Sequence, residues 1–167
     1  MFGIAECARA IRAADYLKQR DMQAIGRLMN ISHDGERCFT STADGVAEPF
    51  CVDISDEAIR CLIRDLTSQD PARIERAQLY NQPGAYRCST KEIDTIVDIA
   101  CRTPGVLGAQ IAGAGLGGCA MILVRVQDQA KLESNLLEQF YEANDLAPGI
   151  IQCAPSAGSG LIALGLK

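Results

Sequence analysis

Apolar residues recur at helical spacing from the first turn of the chain. Ile4, Ala8, Ile11 and Ala14 fall on one stripe, with Arg9, Arg12 and Lys18 on other faces, which predicts an opening helix. Asp21 then stands as a cap before MQAIGRLMN, whose apolar positions are Met22, Ile25, Leu28 and Met29. Gly26 in its middle costs about 1 kcal/mol of helix propensity relative to alanine; either it admits a neighbouring backbone or it is simply tolerated. Residues 34–50, with Asp-Gly twice and a Pro, read as loop. DISDEAIRCLIRDLTSQ predicts a helix capped at Ser55, with Ile59, Leu62, Ile63 and Leu66 as its buried stripe. Asp70 caps a second short helix, with Pro71 at its first position and Pro83-Gly84 as terminator; the two helices form a compact unit.

Ser89-Thr90-Lys91-Glu92 has the capping-box pattern, hydroxyl first and carboxylate three residues on. The helix behind it carries Ile93, Ile96, Val97, Ala100 and Cys101 on one face, the strongest amphipathic signal in the chain. Thr103-Pro104-Gly105 stops it. A strand at about 106–112 and a buried strand over CAMILVRV (119–126) follow, then a helix capped by Asp128 with Leu132, Leu136 and Phe140 inward. After Pro148-Gly149, IIQCA reads as a last central strand and PSAGSG as another flexible turn. The pattern is α+β, with no internal repeat, low-complexity segment or linker.

Composition narrows the classes. A chain of 167 residues, 48% apolar and 22% charged, supports one ordinary domain with a core rather than a disordered segment. A formal charge of −5 leaves no basic excess to neutralise nucleic-acid phosphates or an anionic membrane. No stretch approaches the roughly 18 apolar residues of a membrane span, and Glu6, Arg9 and Arg12 interrupt any secretory signal. The expected location is cytoplasmic. Eight cysteines are scattered with no C-x-x-C; their number fits a disulfide framework, but the missing signal and the apolar settings of Cys101 and Cys119 favour reduced, packed thiols. His33, the one imidazole, has no ligand-spaced partner, so no metal site is expected.

The glycine-rich stretch GAQIAGAGLGGCAMILV (108–124) raises the question of chemistry. Gly113-x-Gly115-x-x-Gly118 has dinucleotide-loop spacing, but that fingerprint requires a following helix whose N-terminus meets the pyrophosphate. CAMILVRV is short, apolar at consecutive positions and stopped by QDQ, so it reads as strand. No Gly-Lys-Ser/Thr follows, which excludes a Walker A loop. A strand–glycine loop–strand joint either lets main chain press against a neighbouring loop or a ligand phosphate, its amides forming an anion nest, or only closes a tight hairpin crossing.

Taken whole, GVLGAQIAGAGLGGCAMILV strongly resembles the third signature motif of the GHMP small-molecule kinases in the version carried by galactokinases. GRLMNISH (26–33), YRCSTKEIDTIVDIA (86–100) and YEANDLAPGIIQCAPSAGSG (141–160) are similar to galactokinase stretches in the same order. Residues 40–85 look like a helical insertion, and Ala114 and Leu116 stand where galactokinases often carry Gly and Phe. The resemblance implies the C-terminal domain of such a kinase, residues 1–167, with a ferredoxin-like antiparallel sheet backed by helices. It also implies that the N-terminal ATP and substrate domain, with its phosphate loop and catalytic acid, is absent from this chain. ATP and Mg²⁺ would then serve the full enzyme, which transfers the γ-phosphate to a sugar hydroxyl, the anomeric one by expectation. The implied nucleotide or phosphate-loop contacts are Gly113, Ala114, Gly115, Leu116, Gly117 and Gly118, with no catalytic residue in this chain and no activity when it is alone.

Other residues have bland and sharp readings. His33 is a general-base candidate or a structural histidine at a helix end. Cys119 is a reactive thiol or, with no cation nearby, a packed one. Asp53, Asp56 and Glu57 cluster like metal ligands but suit a helix start. Arg125 marks the emergence of its strand into solvent or an interface ion pair. The alternative functions are a non-catalytic sugar or nucleotide sensor and a protein-interaction module using 40–85. A face left by the missing domain would also permit a homodimer.

Overall fold

The computed structural model describes residues 1–41, 46–113 and 115–154. Their order is α1 (Phe2–Gln19), α2 (Met22–Glu36), β1 (Phe39–Ser41), β2 (Ala47–Pro49), α3 (Asp56–Leu66), α4 (Pro71–Ala77), a 3-10 turn (Leu79–Asn81), α5 (Lys91–Arg102), β3 (Val106–Ala112), β4 (Cys119–Val124) and α6 (Gln129–Leu136). A wide helical turn (Leu137–Tyr141) and a last 3-10 turn continue α6. The strands pair as two antiparallel ladders, β1 with β2 and β3 with β4. This is the expected α+β class, its β structure divided between two small sheets.

The core lies where α5 and α6 cover β3. Ile93, Val97, Ile99 and Ala100 meet Ala109 and Ile111 of the strand and Leu132, Leu136 and Phe140 of α6. The inward positions of α6 are as read from the sequence, and α5 buries Ile93, Val97 and Ala100 of its expected face, while Cys101 of that face is exposed and Ile99 is buried instead.

Helix α2 crosses β3 so closely that side chains are excluded. A Cβ on Gly26 would stand 2.0 Å from the carbonyl oxygen of Leu107, and one on Gly108 would stand 2.1 Å from that of Gly26. Gly26 thus admits a neighbouring backbone. Further along the same helix, Asn30 Oδ1 accepts from the Ala109 amide at 2.8 Å and His33 Nδ1 from the Ile111 amide at 3.2 Å. Alternate residues of a strand send their N–H groups to one edge, so residues 26, 30 and 33 run along the edge of β3 that β4 leaves free. Side chains of a helix take the place of a third strand there, and an edge that would otherwise invite pairing is closed.

Other expectations are corrected. The first helix buries Ala5 and Arg9, whereas Ile4 and Ile11 are 67% and 71% exposed. The stripe faces outward because Arg9 points inward, bonding Glu6 and the carbonyls of Tyr80 and Gln82. No residue of α3 is buried; Ile59, Ile63 and Leu66 stay exposed because the helix packs on α4, with Arg73 bonded to Asp65, and not on the core. The presumed loop 34–50 holds the end of α2 and the β1–β2 hairpin, which α5 secures from beneath. Asp94 accepts the amides of Cys38 and Phe39, and Asp98 accepts that of Ser41 and pairs with Arg37. The cap of α5 is Thr90, whose hydroxyl accepts from the Ile93 amide, one residue later than the capping-box pattern implied.

The strand expected at IIQCA (150–154) does not form. Ile150 packs against the core and Ile151 turns outward, an alternation with no ladder beside it. β4 is half-buried rather than buried, with Cys119 and Met121 exposed, because the described residues cover only one of its faces. Ser55, Asp70 and Asp21 cap their helices as expected, and Arg125 is exposed just past β4. The turn PSAGSG lies outside the described residues.

Replacing Gly26 with alanine should destabilise the fold. Alanine gains about 1 kcal/mol in helix propensity, but forcing a methyl against the Leu107 carbonyl costs about 3 kcal/mol as overpacking. Urea denaturation of Gly26→Ala should show a lower midpoint; an unchanged or raised one would contradict the crossing.

Candidate functional site

The glycine loop joins β3 to β4, two antiparallel strands, so no helix emerges from it. This removes the dinucleotide reading on geometry: there is no helix N-terminus to direct at a pyrophosphate. Ala114 lies outside the described residues. Gly113, Gly115, Leu116, Gly117 and Gly118 all have positive φ, from 61° to 108°. Left-handed conformations are costly for residues with a Cβ, and Leu116 adopts one while its side chain is 88% exposed.

The loop has a held side and an open side. A Cβ on Gly115 would meet Cys88, 2.5 Å from Sγ and 2.6 Å from the carbonyl oxygen. The Leu116 amide donates to that same carbonyl at 2.6 Å, so it is committed within the chain and not free for an anion. Among the described residues, an added Cβ on Gly113 or Gly117 has nothing beyond its chain neighbours within 4 Å, and one on Gly118 meets only the Ala112 carbonyl at 4.0 Å. Among the described residues, main chain is therefore uncovered at three positions, where another backbone or a phosphate group could approach.

What holds Cys88 traces back to α2. The amides of Tyr86 and Arg87 donate to the Gly35 carbonyl at 2.7 and 3.1 Å, and that of Ser89 donates to the Glu36 carbonyl at 2.8 Å. The Cys88 thiol lies 3.7 Å from Glu36 Oε1 as its donor. Burial, with the nearby Glu6 charge, pushes the Glu36 carboxyl up to about 7 despite the Cys88 thiol and Arg9. Burial and the Glu36 charge push the Cys88 thiol up to about 11, so it is a poor nucleophile at neutral pH.

His33 is fully buried in the last turn of α2. Nδ1 accepts the Ile111 amide, which leaves the proton on Nε2, 3.2 Å from Asp94 Oδ1 and outside regular hydrogen-bond geometry. Its role is structural. Burial raises Asp94, but His33, Ser89 and the amides of Phe39 and Cys38 outweigh it and hold the carboxyl below its ordinary range. Asp94 was missed by sequence reasoning; a carboxylate beside Ile93 and Val97 on the buried face of an amphipathic helix is the signal that could have found it. Glu36 and Cys88 gave no such signal.

The remaining candidates disperse. Asp53 accepts the Ser55 amide, and Glu57 faces Arg60 and Arg64 along α3. Among the described residues no group of three His, Cys, Asp or Glu is arranged around a metal position. All eight cysteines are free, and Cys101 and Cys119 are exposed rather than packed, Cys119 because it starts β4 directly after the loop. Among the described residues no helix is long and apolar enough to cross a membrane.

Two outcomes follow from this geometry. Gly115→Ala should lower thermal stability more than Gly113→Ala. Both carry the left-handed penalty of about 1–2 kcal/mol, but only the first displaces Cys88; equal losses would contradict the anchor. Because the folded Asp94 carboxyl titrates below its unfolded value, its contribution is present above the ordinary carboxylate range and lost as pH falls through the folded value. Asp94→Ala should cost about 3 kcal/mol at pH 7 and show a flatter acid limb in denaturation against pH.

The C-terminal family of GHMP kinases ("GHMP kinases C terminal") matches residues 58–143, about half of the chain. Galactokinase of Exiguobacterium sibiricum is 31% identical over 121 residues, 72% of this chain and 19% of that protein. Galactokinase of Lactobacillus helveticus is 26% identical over 144 residues, 84% of this chain and 36% of that one. Galactokinase of Streptococcus thermophilus is 24% identical over 161 residues, 95% and 41% respectively. The chain spans less than half the length of these curated relatives. The match begins inside α3, so the family region takes in most of the segment expected as an insertion, along with α5, both strands of the glycine hairpin and α6. With its glycine hairpin built between two strands and backed by α5, the chain belongs to the GHMP kinase C-terminal family, in its galactokinase-like form.

Proposed function

We propose that this chain is the C-terminal part of an ATP-dependent sugar kinase that transfers the γ-phosphoryl group of ATP to a sugar hydroxyl, the anomeric one in the galactokinase-like case. The observation that carries the reading is the bare main chain at Gly113, Gly117 and Gly118, held at a fixed place by Cys88. A phosphate-binding loop from an N-terminal domain, or the nucleotide phosphates themselves, can approach the main chain of those glycines, which carry no side chain of their own. Phosphoryl transfer depends mainly on alignment and charge neutralisation, and this loop supplies alignment. Mg²⁺, when bound with the phosphates, supplies neutralisation, its ligands coming from the nucleotide and from the other domain.

In this reading the catalytic acid lies outside residues 1–167, so the isolated chain turns over nothing. The kinase is cytoplasmic. Exposed Leu116 and Met121, beside the glycine loop, suit a surface that another domain covers, or that pairs two copies when that domain is missing. The alternative is a sensor or interaction module on the same fold, which would bind a sugar or nucleotide without turnover.

Kinetics on a polypeptide that joins this chain to the N-terminal kinase domain called for by the proposal distinguishes these. ATP-dependent phosphorylation of galactose is expected there, with none from residues 1–167 alone. Gly117→Val, placing a side chain on the open face, should raise the nucleotide KM at least tenfold. Turnover by residues 1–167 alone, or saturable sugar binding with no turnover by the longer polypeptide, would overturn the proposal.

A further inference from the structure

We propose that Glu36 and Cys88 are positioning residues for the glycine loop, with Cys88 gripping Gly115 and Leu116 while the Glu36 carboxyl behind it sets the charge state of that grip. Three contacts place them in series. The Glu36 Oε1 to Cys88 Sγ approach is 3.7 Å, the Cys88 carbonyl accepts the Leu116 amide at 2.6 Å, and Gly115 sits where any Cβ would strike Cys88. Glu36 is buried at 9% exposure, so water does little to screen it.

The groups that bear on this carboxyl come from three directions. Glu6 and Arg9 of α1, bonded to each other, act in opposite senses: Glu6 disfavours the ionised form and Arg9 favours it. The Cys88 thiol favours it by donating, and Cys38 lies near Cys88 in turn. Burial outweighs the favourable partners, which brings the change of state close to neutral pH. Below that point Glu36 is neutral and the thiol loses its charged acceptor. Above it a carboxylate draws the thiol inward, and the chain of contacts passes the change to Leu116.

The assignment rests on the kinase reading only for its purpose, which is to tie the placement of a phosphate-facing loop to pH. It can be read without activity, so the two fail separately. In ¹⁵N-labelled protein the amide resonances of Gly115, Leu116 and Gly117 are followed from pH 5.5 to 8.5. A common sigmoidal shift with a midpoint near 7 is expected, lost in Glu36→Gln. In Cys88→Ala the shift should persist at Ser89, whose amide donates to the main-chain carbonyl of Glu36 itself, and vanish from the loop. Flat loop resonances in the unmodified protein overturn the proposal without any variant. A midpoint unchanged in Glu36→Gln also overturns it, because the titration then belongs to another group.

Discussion

Strand β3 has two edges, and β4 covers only one of them. Its other amides at Ala109 and Ile111 point at a helix, and they are satisfied because Asn30 and His33 of α2 reach them from a helix that Gly26 and Gly108 allow to lie in backbone contact. Leaving a buried amide without an acceptor costs about 1–3 kcal/mol, so removing either side chain is not a neutral change. The crossing also fixes the height and direction of α2. Everything at the far end of that helix inherits its position from this contact.

The inheritance can be followed bond by bond. Gly35 and Glu36, at the end of α2, receive the amides of Tyr86, Arg87 and Ser89, and this segment carries Cys88 under the glycine loop. One turn earlier, His33 faces Asp94, which holds the start of β1 from α5. A loop of residues with positive φ would otherwise have much conformational freedom to lose. Here one carbonyl and one close approach hold it at its centre, leaving the flanking glycines bare. That division suits a domain that lends alignment to reactive groups carried elsewhere.

Local signals were legible where the chemistry is local. Asp21, Ser55 and Asp70 cap the helices they were expected to cap, β3 spans 106–112, and the strand after the glycines follows from an apolar run too short for a helix. Side-chain direction was less legible. The outward stripe of α1 and the exposed face of α3 have the same periodicity as buried ones, and periodicity does not say whether a partner lies within the chain. Arg9 shows why: a guanidinium that finds two carbonyls and a carboxylate inside reverses the face that hydrophobicity assigns. In GRLMNISH, the glycine, asparagine and histidine match a family pattern. Their physical meaning, a helix standing in for a strand, depends on residues about 80 positions away and becomes visible only in the fold.

The central claim is that α2 closes the free edge of β3, and amide hydrogen exchange of single residues tests it most directly. If the claim holds, the amides of Ala109 and Ile111 exchange only through global unfolding, as slowly as the central amides of α5, while Gly113 and Gly117 exchange at the rate of open chain. Fast exchange at Ala109 and Ile111 under conditions where α5 stays protected would show the edge to be open, and the account of how the glycine loop is placed would fail with it.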